Sequence, residues 1–327
     1  MRVLVCGGAG YIGSNMTALL AAEGHEPVVF DNLTKGHRAA VHSAEFMRGD
    51  LADYDPLVET LRKHGIEAVM HFAAFIEVGE SVQAPLKYYR NNLCCTESLL
   101  SAMETVGVKK FVFSSTAAVY GTPVRVPITE DSPTEPINPY GQTKLAVEKM
   151  CHYQSRAGKL AYASLRYFNA CGAGDGATLG EDHRPESHLI PLTIQAALGK
   201  RREIRIYGTD YQTPDGTCIR DYIHVEDLCR AHLLALDKLD QKSELIYNLG
   251  NEEGYSVREV IETVKRVSGK DFRVVEAGRR AGDAPVLTAD AGRARRDLNW
   301  KTKWPELEGI VSTAWEWHSS HPDGYPD

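Results

Sequence analysis

The chain has 327 residues, of which 43% are hydrophobic and 25% are charged, and its formal net charge is −7. These values are typical of a globular protein long enough for two domains. The negative charge argues against broad nucleic-acid binding. No apolar run is long enough to cross a membrane, and the seven cysteines show no paired spacing. The first apolar strand begins at Arg2, so we expect a cytoplasmic protein without a signal peptide.

The first half of the chain alternates short apolar runs with helical segments. Strands are predicted at 3–6, 28–30, 68–72, 110–115 and 161–167, and helices at 12–23, 54–64, 83–106 and 139–157. This alternation predicts an α/β fold with a doubly wound parallel sheet of the Rossmann type. Such sheets bind ligands outside the carboxyl ends of their strands, so we give motifs at strand ends extra weight.

A glycine-rich turn follows the first strand. Gly7, Gly8, Gly10 and Gly13 fit two dinucleotide-binding spacings, and a helix is predicted directly behind them. Asp31 stands at the end of the next apolar run. A strand, a glycine turn, a helix, a strand and an acid together hold a pyrophosphate on a helix N-terminus and a ribose on a carboxylate. The turn therefore predicts nucleotide binding, and the alternative is a tight turn that binds nothing.

Two polar side chains open the helix predicted at 139–157. Tyr140 and Lys144 are four residues apart and project from one helical face. A nearby ammonium and a helix N-terminus both favour the phenolate form of a tyrosine. Ser114 and Thr116 end the preceding strand, where they would face the ligand cleft. On spacing alone the pair could also belong to an ordinary surface helix.

After residue 168 the alternation is interrupted by a loop at 170–188 that is rich in Gly, Asp, Glu and Pro. Further elements are predicted at 189–199, 204–207, 221–225, 226–238, 245–249, 256–268 and 272–276. We predict a nucleotide-binding domain over 1–168 with a returning segment near 218–249. Residues 169–217 and 250–327 would then form a smaller, interwoven α/β substrate domain.

The glycine turn, Thr116, Tyr140 and Lys144 together resemble the extended short-chain dehydrogenase/reductase family. Arg220-Asp221-Tyr222-Ile223-His224-Val225 is similar to the members that epimerise UDP-hexoses, and the similarity covers essentially the whole chain. The resemblance implies that Tyr140 is the acid/base, that Lys144 holds the nicotinamide ribose and that Thr116 hydrogen-bonds the reacting oxygen.

The same resemblance implies an NAD site and a UDP-sugar site. A ribose-binding carboxylate at Asp31 would repel a 2′-phosphate, which favours NAD over NADP. The implied cofactor residues are Gly7, Gly10, Tyr11, Ile12, Gly13, Asp31, Asn32, Asp50, Leu51, Phe72, Ala73, Ala74, Asn91, Ser114, Tyr140, Lys144 and Phe168. The implied substrate residues are Thr116, Tyr140, Asn169, His188, Leu189, Arg205, Ile206, Tyr207, Arg220, Arg280, Asp283 and Leu287. Guanidinium groups at 220 and 280 match diphosphate oxygens.

The implied reaction is the interconversion of UDP-glucose and UDP-galactose, in galactose metabolism. The sugar C4 would be inverted through a transient 4-keto intermediate with bound NAD. Bulky Leu287 favours plain hexoses, and a UDP-N-acetylhexosamine or UDP-glucuronate 4-epimerase is the alternative. Ala117 and Ala118 stand where dehydratases of this fold carry an Asp–Glu pair, which argues against dehydration. A non-catalytic NAD-binding regulator is the alternative from another class.

The remaining expectations concern metals and partners. The histidines form no His-Glu-x-x-His pattern, so no metal site is expected. His71 and His224 are interpreted as structural residues at strand ends. The resemblance implies a homodimer formed through the helices near 83–106 and 139–157.

Overall fold

The strands of the protein are built from short apolar runs. The computed structural model describes residues 1–42, 44–174, 176–280 and 282–326. In chain order its strands are β1 (Arg2–Cys6), β2 (Glu26–Asp31), β3 (Glu45–Arg48), β4 (Ala68–His71), β5 (Lys110–Thr116), β6 (Ala161–Tyr167), β7 (Asn169–Cys171), β8 (Ile204–Tyr207), β9 (Ile219–His224), β10 (Glu244–Leu249), β11 (Gly254–Ser256), β12 (Val274–Ala277) and β13 (Val286–Leu287).

Helices connect these strands. They are α1 (Tyr11–Ala22), α2 (Tyr54–Lys63), α3 (Val78–Gln83), α4 (Pro85–Tyr88), α5 (Cys95–Val106), α6 (Pro139–Arg156), α7 (Leu189–Ala197), α8 (Val225–Lys238), α9 (Val257–Ser268), α10 (Gly292–Leu298) and α11 (Leu307–Ser320). A π-helical segment, Tyr89–Cys94, leads into α5. In the described part of the chain, no helix is both long and apolar enough to cross a membrane.

Among the described residues, seven parallel strands form the large sheet, in the order β10-β6-β5-β4-β1-β2-β3. The chain builds outward from β1 in one direction through β2 and β3, and in the other through β4, β5 and β6. Reversal of direction beside β1 opens a crevice at the carboxyl ends of the strands, where ligands bind in this fold. The predicted doubly wound parallel sheet is confirmed.

Both faces of the large sheet are covered by helices. Met16 of α1 and Leu228 of α8 belong to the apolar cluster on one face. Leu57 of α2, Leu99 of α5 and Val147 of α6 belong to the cluster on the other. A parallel sheet buried on both sides requires strands that are apolar throughout, as the fully buried run from β1 shows.

The second region contains small sheets and its own core. β9 pairs with β7, β11 and β13, while β8 pairs with β12. Helices α7, α9 and α11 pack together through Ile194, Val260 and Ile310. The next elements, α8 and β10, return to the large sheet, although β9 itself lies in the small one. From α8 onward this part of the chain packs on and joins the large sheet.

Several features differ from the predicted elements, among them the short strands β7, β11 and β13, which were not predicted. The helical run expected at 83–106 begins at Pro85, because Pro85 disfavours helical geometry at Ala84, which has φ −130° and ψ 60°, and it is π-helical over Tyr89–Cys94. Strand β3 was not predicted, since its short edge sequence is only partly apolar. The C-terminal helices α10 and α11 were also not predicted, and Trp300 and Trp317 are buried in this part of the chain.

Candidate active site

The glycine turn between β1 and α1 is held so tightly that side chains are excluded. Gly7 has φ +77°, and its N–H donates to the Phe30 carbonyl at 2.9 Å. A Cβ on Gly13 would lie 2.1 Å from the Gly7 oxygen, and one on Gly7 would lie 2.5 Å from the Ala73 nitrogen. Gly10 caps α1 without a side-chain hydrogen bond, which leaves the first N–H groups for an anion. This cradle fits the pyrophosphate of NAD.

Asp31, the last residue of β2, lies beside the turn. Its carboxylate accepts the N–H of Ala9 at 3.0 Å and of Leu33 at 2.8 Å. Burial raises the pKa of this carboxyl group, and the two backbone N–H groups oppose that shift. Asn32 donates to Asp50 at 2.8 Å, in the segment that follows the neighbouring strand β3. Acidic and amide groups therefore lie next to the glycines, in a position that suits the ribose of a dinucleotide.

The other predicted cofactor residues lie along the same edge of the large sheet. Tyr11 and Ile12 open α1; Leu51 follows Asp50; Phe72, Ala73 and Ala74 follow β4; Asn91 lies in the π-helical segment; Ser114 lies near the end of β5; and Phe168 follows β6. The sheet topology thus gathers residues from six segments of the chain on one crevice.

Local sequence explains why Tyr140 lies at the start of α6. The Asn138 side chain accepts the N–H of Gly141 at 2.9 Å, and Pro139 occupies the first helical position. A Cβ on Gly141 would lie 2.5 Å from the Ala118 oxygen, so this glycine allows the helix to pack against the segment after β5. The Tyr140 phenol is thereby placed next to the Thr116 hydroxyl. Burial raises the pKa of Tyr140, and its hydrogen bond with Thr116 works in the opposite direction.

Lys144 lies one turn further along α6 and is buried. Its ammonium donates to the Ser114 carbonyl at 2.8 Å and lies 6.0 Å from the centre of the Tyr140 ring. Burial lowers the pKa of Lys144 to about 7, whereas the negative charge of Glu148 opposes the shift. In its charged form this ammonium favours the phenolate of Tyr140. The predicted trio of Thr116, Tyr140 and Lys144 is therefore brought together.

A buried ion pair beneath these residues was not predicted. Glu148, the next residue on the Lys144 face of α6, accepts two hydrogen bonds from the Arg166 guanidinium and one from the Ser115 hydroxyl. Arg166 also donates to the Tyr120 hydroxyl at 2.9 Å. Residues 140, 144 and 148 are spaced four apart, so they share one helical face, and this spacing is the sequence feature that could have indicated a role for Glu148. The pair fixes the rotation of α6 against the sheet.

A cavity of about 680 Å³ opens in the second region. The predicted substrate residues that line it are Asn169, His188, Leu189, Arg205, Tyr207, Arg220, Arg280 and Asp283. Thr116, Tyr140, Ile206 and Leu287 are outside this lining. Ile206 is buried with Ile204 and Ile261, because alternate residues of β8 point to opposite faces. Leu287 packs against the cluster that contains Val119 and Ile128.

Two of the lining arginines share one carboxylate. The Arg280 guanidinium lies 2.9 Å from the Asp283 carboxylate, and that of Arg220 lies 3.7 Å from it. Arg220 is further held by the Ile219 and Ala284 carbonyls at 2.9 and 2.8 Å. Two guanidinium groups with one carboxylate leave a net positive charge, which suits a diphosphate. Glu181, Arg201 and Arg202 also line the cavity and were not predicted.

The rest of the Arg220–Val225 motif has structural tasks. The Asp221 carboxylate is fully buried and accepts the N–H groups of Asn251, Glu252 and Ala289. His224 accepts the Glu226 N–H and caps α8. His71 is likewise buried and bonds to the Thr96 hydroxyl at 2.9 Å. Both histidines are structural strand-end residues, as expected.

The glycine cradle, Asp31 and the Tyr140–Lys144 pair on a doubly wound sheet define a dinucleotide-binding enzyme of the extended short-chain dehydrogenase/reductase class. The sequence model of the NAD dependent epimerase/dehydratase family matches residues 3–250, and the chain belongs to this family.

Individual members of the family are similar over their full lengths. The UDP-glucose 4-epimerase of Halalkalibacterium halodurans is 51% identical over 99% of this chain and 98% of its own. The crystal structure of the Brucella ovis UDP-glucose 4-epimerase in complex with NAD is 48% identical, with a TM-score of 0.94 over 97% of this chain and 98% of that one. The Bifidobacterium longum UDP-glucose 4-epimerase in complex with NAD+ and UDP is 36% identical, with a TM-score of 0.94 over 99% and 100%.

Proposed function

We propose that this protein is an epimerase that interconverts UDP-glucose and UDP-galactose by inverting the sugar C4 through a 4-keto intermediate. The observation that carries the proposal is the position of Tyr140. Its phenol lies beside the Thr116 hydroxyl and 6.0 Å, measured from the ring centre, from the Lys144 ammonium. This trio and the glycine cradle share the carboxyl edge of the large sheet.

The chain's own residues supply the proton chemistry. Tyr140 as phenolate removes the proton of the sugar 4-hydroxyl, and Thr116 donates a hydrogen bond to that oxygen. Lys144 offsets the developing negative charge of the phenolate from the same helical face. In the second half of the reaction Tyr140 returns the proton to the oxygen at C4. When bound, NAD would be held by the glycine turn, Asp31 and Lys144 and would provide a reversible hydride acceptor for C4.

The cavity residues hold the nucleotide while the sugar changes configuration. Arg220 and Arg280 bind the diphosphate, and their shared partner Asp283 keeps both guanidinium groups at the cavity. Anchoring at the diphosphate leaves the sugar ring free to present either face at C4. A proton donor fixed at Tyr140 can then serve both epimers.

Replacement of Tyr140 by phenylalanine tests the proposal. Tyr140→Phe should lower kcat for UDP-galactose by roughly 10²–10⁴-fold, because the acid/base group is lost while the ring remains. Tyr153→Phe is the matched control, since Tyr153 lies on the same helix with 72% of its surface exposed. The measurement is product formation from UDP-glucose, UDP-galactose and their N-acetyl forms, with UDP-glucuronate assayed in parallel.

Two results would overturn the assignment. Turnover of Tyr140→Phe at the rate of the control would remove Tyr140 from the reaction. Binding of NAD without conversion of any UDP-sugar by the unaltered protein would indicate a regulator instead. Faster conversion of an N-acetylated sugar or of UDP-glucuronate would change the substrate but keep the mechanism.

We also infer a homodimer formed through α3 to α6. Leu86 in α4 is 76% exposed and Val82 in α3 is 62% exposed, and both of these helices contact α6. Burial of such apolar side chains against a second copy would stabilise the assembly. Sedimentation at micromolar concentration should give twice the 36.1 kDa mass of the chain. A single-chain mass would contradict the inference.

We further propose that the protein works in the cytoplasm. All seven cysteines are free thiols, and six of them are buried. Buried free thiols suit a reducing compartment. Fractionation of the native cells should find the protein with the cytoplasmic enzymes, and recovery from an oxidising compartment would contradict the proposal.

A further inference from the structure

Two histidines and two glutamates converge in the segment that leads into α7. His188 Nδ1 lies 2.8 Å from a Glu181 oxygen and 3.0 Å from a Glu186 oxygen. His183 Nδ1 lies 3.0 Å from the same Glu181 oxygen and 3.9 Å from the other Glu186 oxygen. One donor atom from each of the four residues can be chosen so that all four lie within 4.8 Å of one another.

These distances match the edges of a metal coordination shell. Zinc binds histidine nitrogen and carboxylate oxygen at about 2.0–2.2 Å, so the ligands of a tetrahedral site lie roughly 3.3 Å apart. Three of the measured separations, from 2.8 to 3.0 Å, are shorter than that value, and the fourth, 3.9 Å, runs to the second oxygen of Glu186. The chosen donor atoms therefore lie close enough together to surround one ion, with a single Glu186 oxygen as the fourth ligand.

The hydrogen bonds around the cluster leave room for an ion. His183 Nδ1 is buried and makes no hydrogen bond that satisfies normal geometry. One oxygen of Glu186 accepts the backbone N–H groups of Ser187 and His188, whereas its other oxygen faces His183. The Glu181 and Glu186 side chains are only 5% and 4% exposed. Two nearly buried carboxylates require positive charge close by.

We propose that Glu181, His183, Glu186 and His188 bind one divalent transition metal, with Zn²⁺ as the preferred ion. Imidazole and carboxylate ligands suit zinc, and four protein ligands are typical of a closed, structural site. This proposal replaces the expectation that the protein has no metal site. The sequence pattern Glu-x-His-x-x-Glu-x-His differs from the His-Glu-x-x-His pattern considered first.

The position of the site indicates what the metal would do. His188 and Glu181 line the substrate cavity, so the ion would fix one wall of that cavity. On the other side, the His183 ring packs edge-on against Tyr11, at 6.4 Å between ring centres. The Tyr11 hydroxyl also donates to the Gly172 carbonyl at 2.6 Å. The metal would therefore tie the loop before α7 to the helix that begins at the glycine cradle.

Metal content of the purified protein, with NAD bound, tests the proposal. After incubation with ZnCl₂ and removal of free metal, plasma mass spectrometry should find one zinc per chain. His183→Gln should retain less than a tenth of that zinc, because one of the four ligands is lost. His42→Gln is the matched control, since His42 is exposed and distant from the cluster in sequence. It should keep the full zinc content.

Thermal unfolding gives a second readout that does not depend on activity. A strong chelator should lower the Tm of the unaltered protein by about 4 °C or more, since the ion stabilises only the folded state. The same chelator should leave the Tm of His183→Gln unchanged. If His183→Gln fails to fold, two measurements on the unaltered protein still test the proposed site: its zinc content and the change in its Tm caused by the chelator. Absence of zinc together with an unchanged Tm would contradict the metal site. The four residues would then be joined only by hydrogen bonds between the histidines and the carboxylates.

Discussion

Two buried aspartates show how the cofactor and substrate regions differ. Asp31 ends β2 and accepts two backbone N–H groups, from Ala9 and Leu33. Asp221 lies in β9 and accepts three, which tie β9 to the loop after β10 and to the residues after β13. Asp31 keeps 8% of its surface exposed, whereas Asp221 keeps none. The first can still bind a ligand, and the second can only stabilise the fold.

The same contrast extends to the surroundings of each aspartate. Around Asp31 the ligand would contact backbone atoms of a glycine turn that no side chain can enter. Asp221 itself does not line the cavity, whereas its neighbour Arg220 does, together with other long charged side chains such as Arg280. Affinity for the cofactor should therefore depend on backbone shape, and affinity for the substrate on individual charges.

The largest effect is expected from Gly13→Ala. The added Cβ would lie 2.1 Å from the Gly7 oxygen, so the turn must open and the phosphate cradle is lost. NAD should bind at least 100-fold more weakly, which corresponds to about 3 kcal/mol. Titration with NAD measures this change. Gly79→Ala is the control, because no atom lies within 4 Å of its added Cβ. Equal affinity in the two variants would show that the cradle is not the cofactor site.

Replacing each aspartate by asparagine should distinguish the structural role of Asp221 from the ligand-binding role of Asp31. Asp221→Asn places amide hydrogens against backbone N–H groups and should lower the free energy of unfolding by about 3 kcal/mol. Asp31→Asn should lower it by only about 1 kcal/mol, since Asp31 binds fewer N–H groups and is nearer to solvent. It should instead weaken the binding of NAD. Urea unfolding measures the first effect, and similar losses of stability in both variants would contradict the distinction.

The smallest effects are expected from replacing the arginines of the cavity. The increase in KM should be larger for a buried arginine than for an exposed one. Arg220 is 16% exposed and Arg205 is 56% exposed. Arg220→Ala should raise KM for UDP-galactose by roughly 10–100-fold, as expected for a lost charge-assisted contact, with kcat within about threefold. Arg205→Ala should change KM by less than about threefold, because exposed charges contribute little. Inhibition by UDP should weaken in parallel with the rise in KM. An equal effect of the two substitutions would contradict the expected dependence on burial.

Features carried by neighbouring residues could be predicted from the sequence. The glycine spacing, the Asn138 cap and the Tyr140–Lys144 face each depend on residues within one turn or one strand–helix unit. Local rules of backbone geometry therefore suffice for them. The break at Ala84 follows from Pro85, which the sequence shows, whereas the π-helical segment was not predicted.

Features that depend on distant pairings could not be predicted. Glu148 meets Arg166 because α6 packs against β6, and the cavity receives Arg201 and Arg202 from the turn that precedes β8. The Glu181–His188 cluster depends on the path of a loop without regular secondary structure. Nothing in the periodicity of these segments indicates which side chains will meet.

The Glu148–Arg166 pair limits how this gene can change in length. Each helical residue advances by about 100° around the axis. An inserted or deleted codon between Lys144 and Glu148 would therefore turn one of these side chains away from its partner, Ser114 or Arg166. Insertions should be tolerated after Arg156, where α6 ends and the chain reaches an exposed turn.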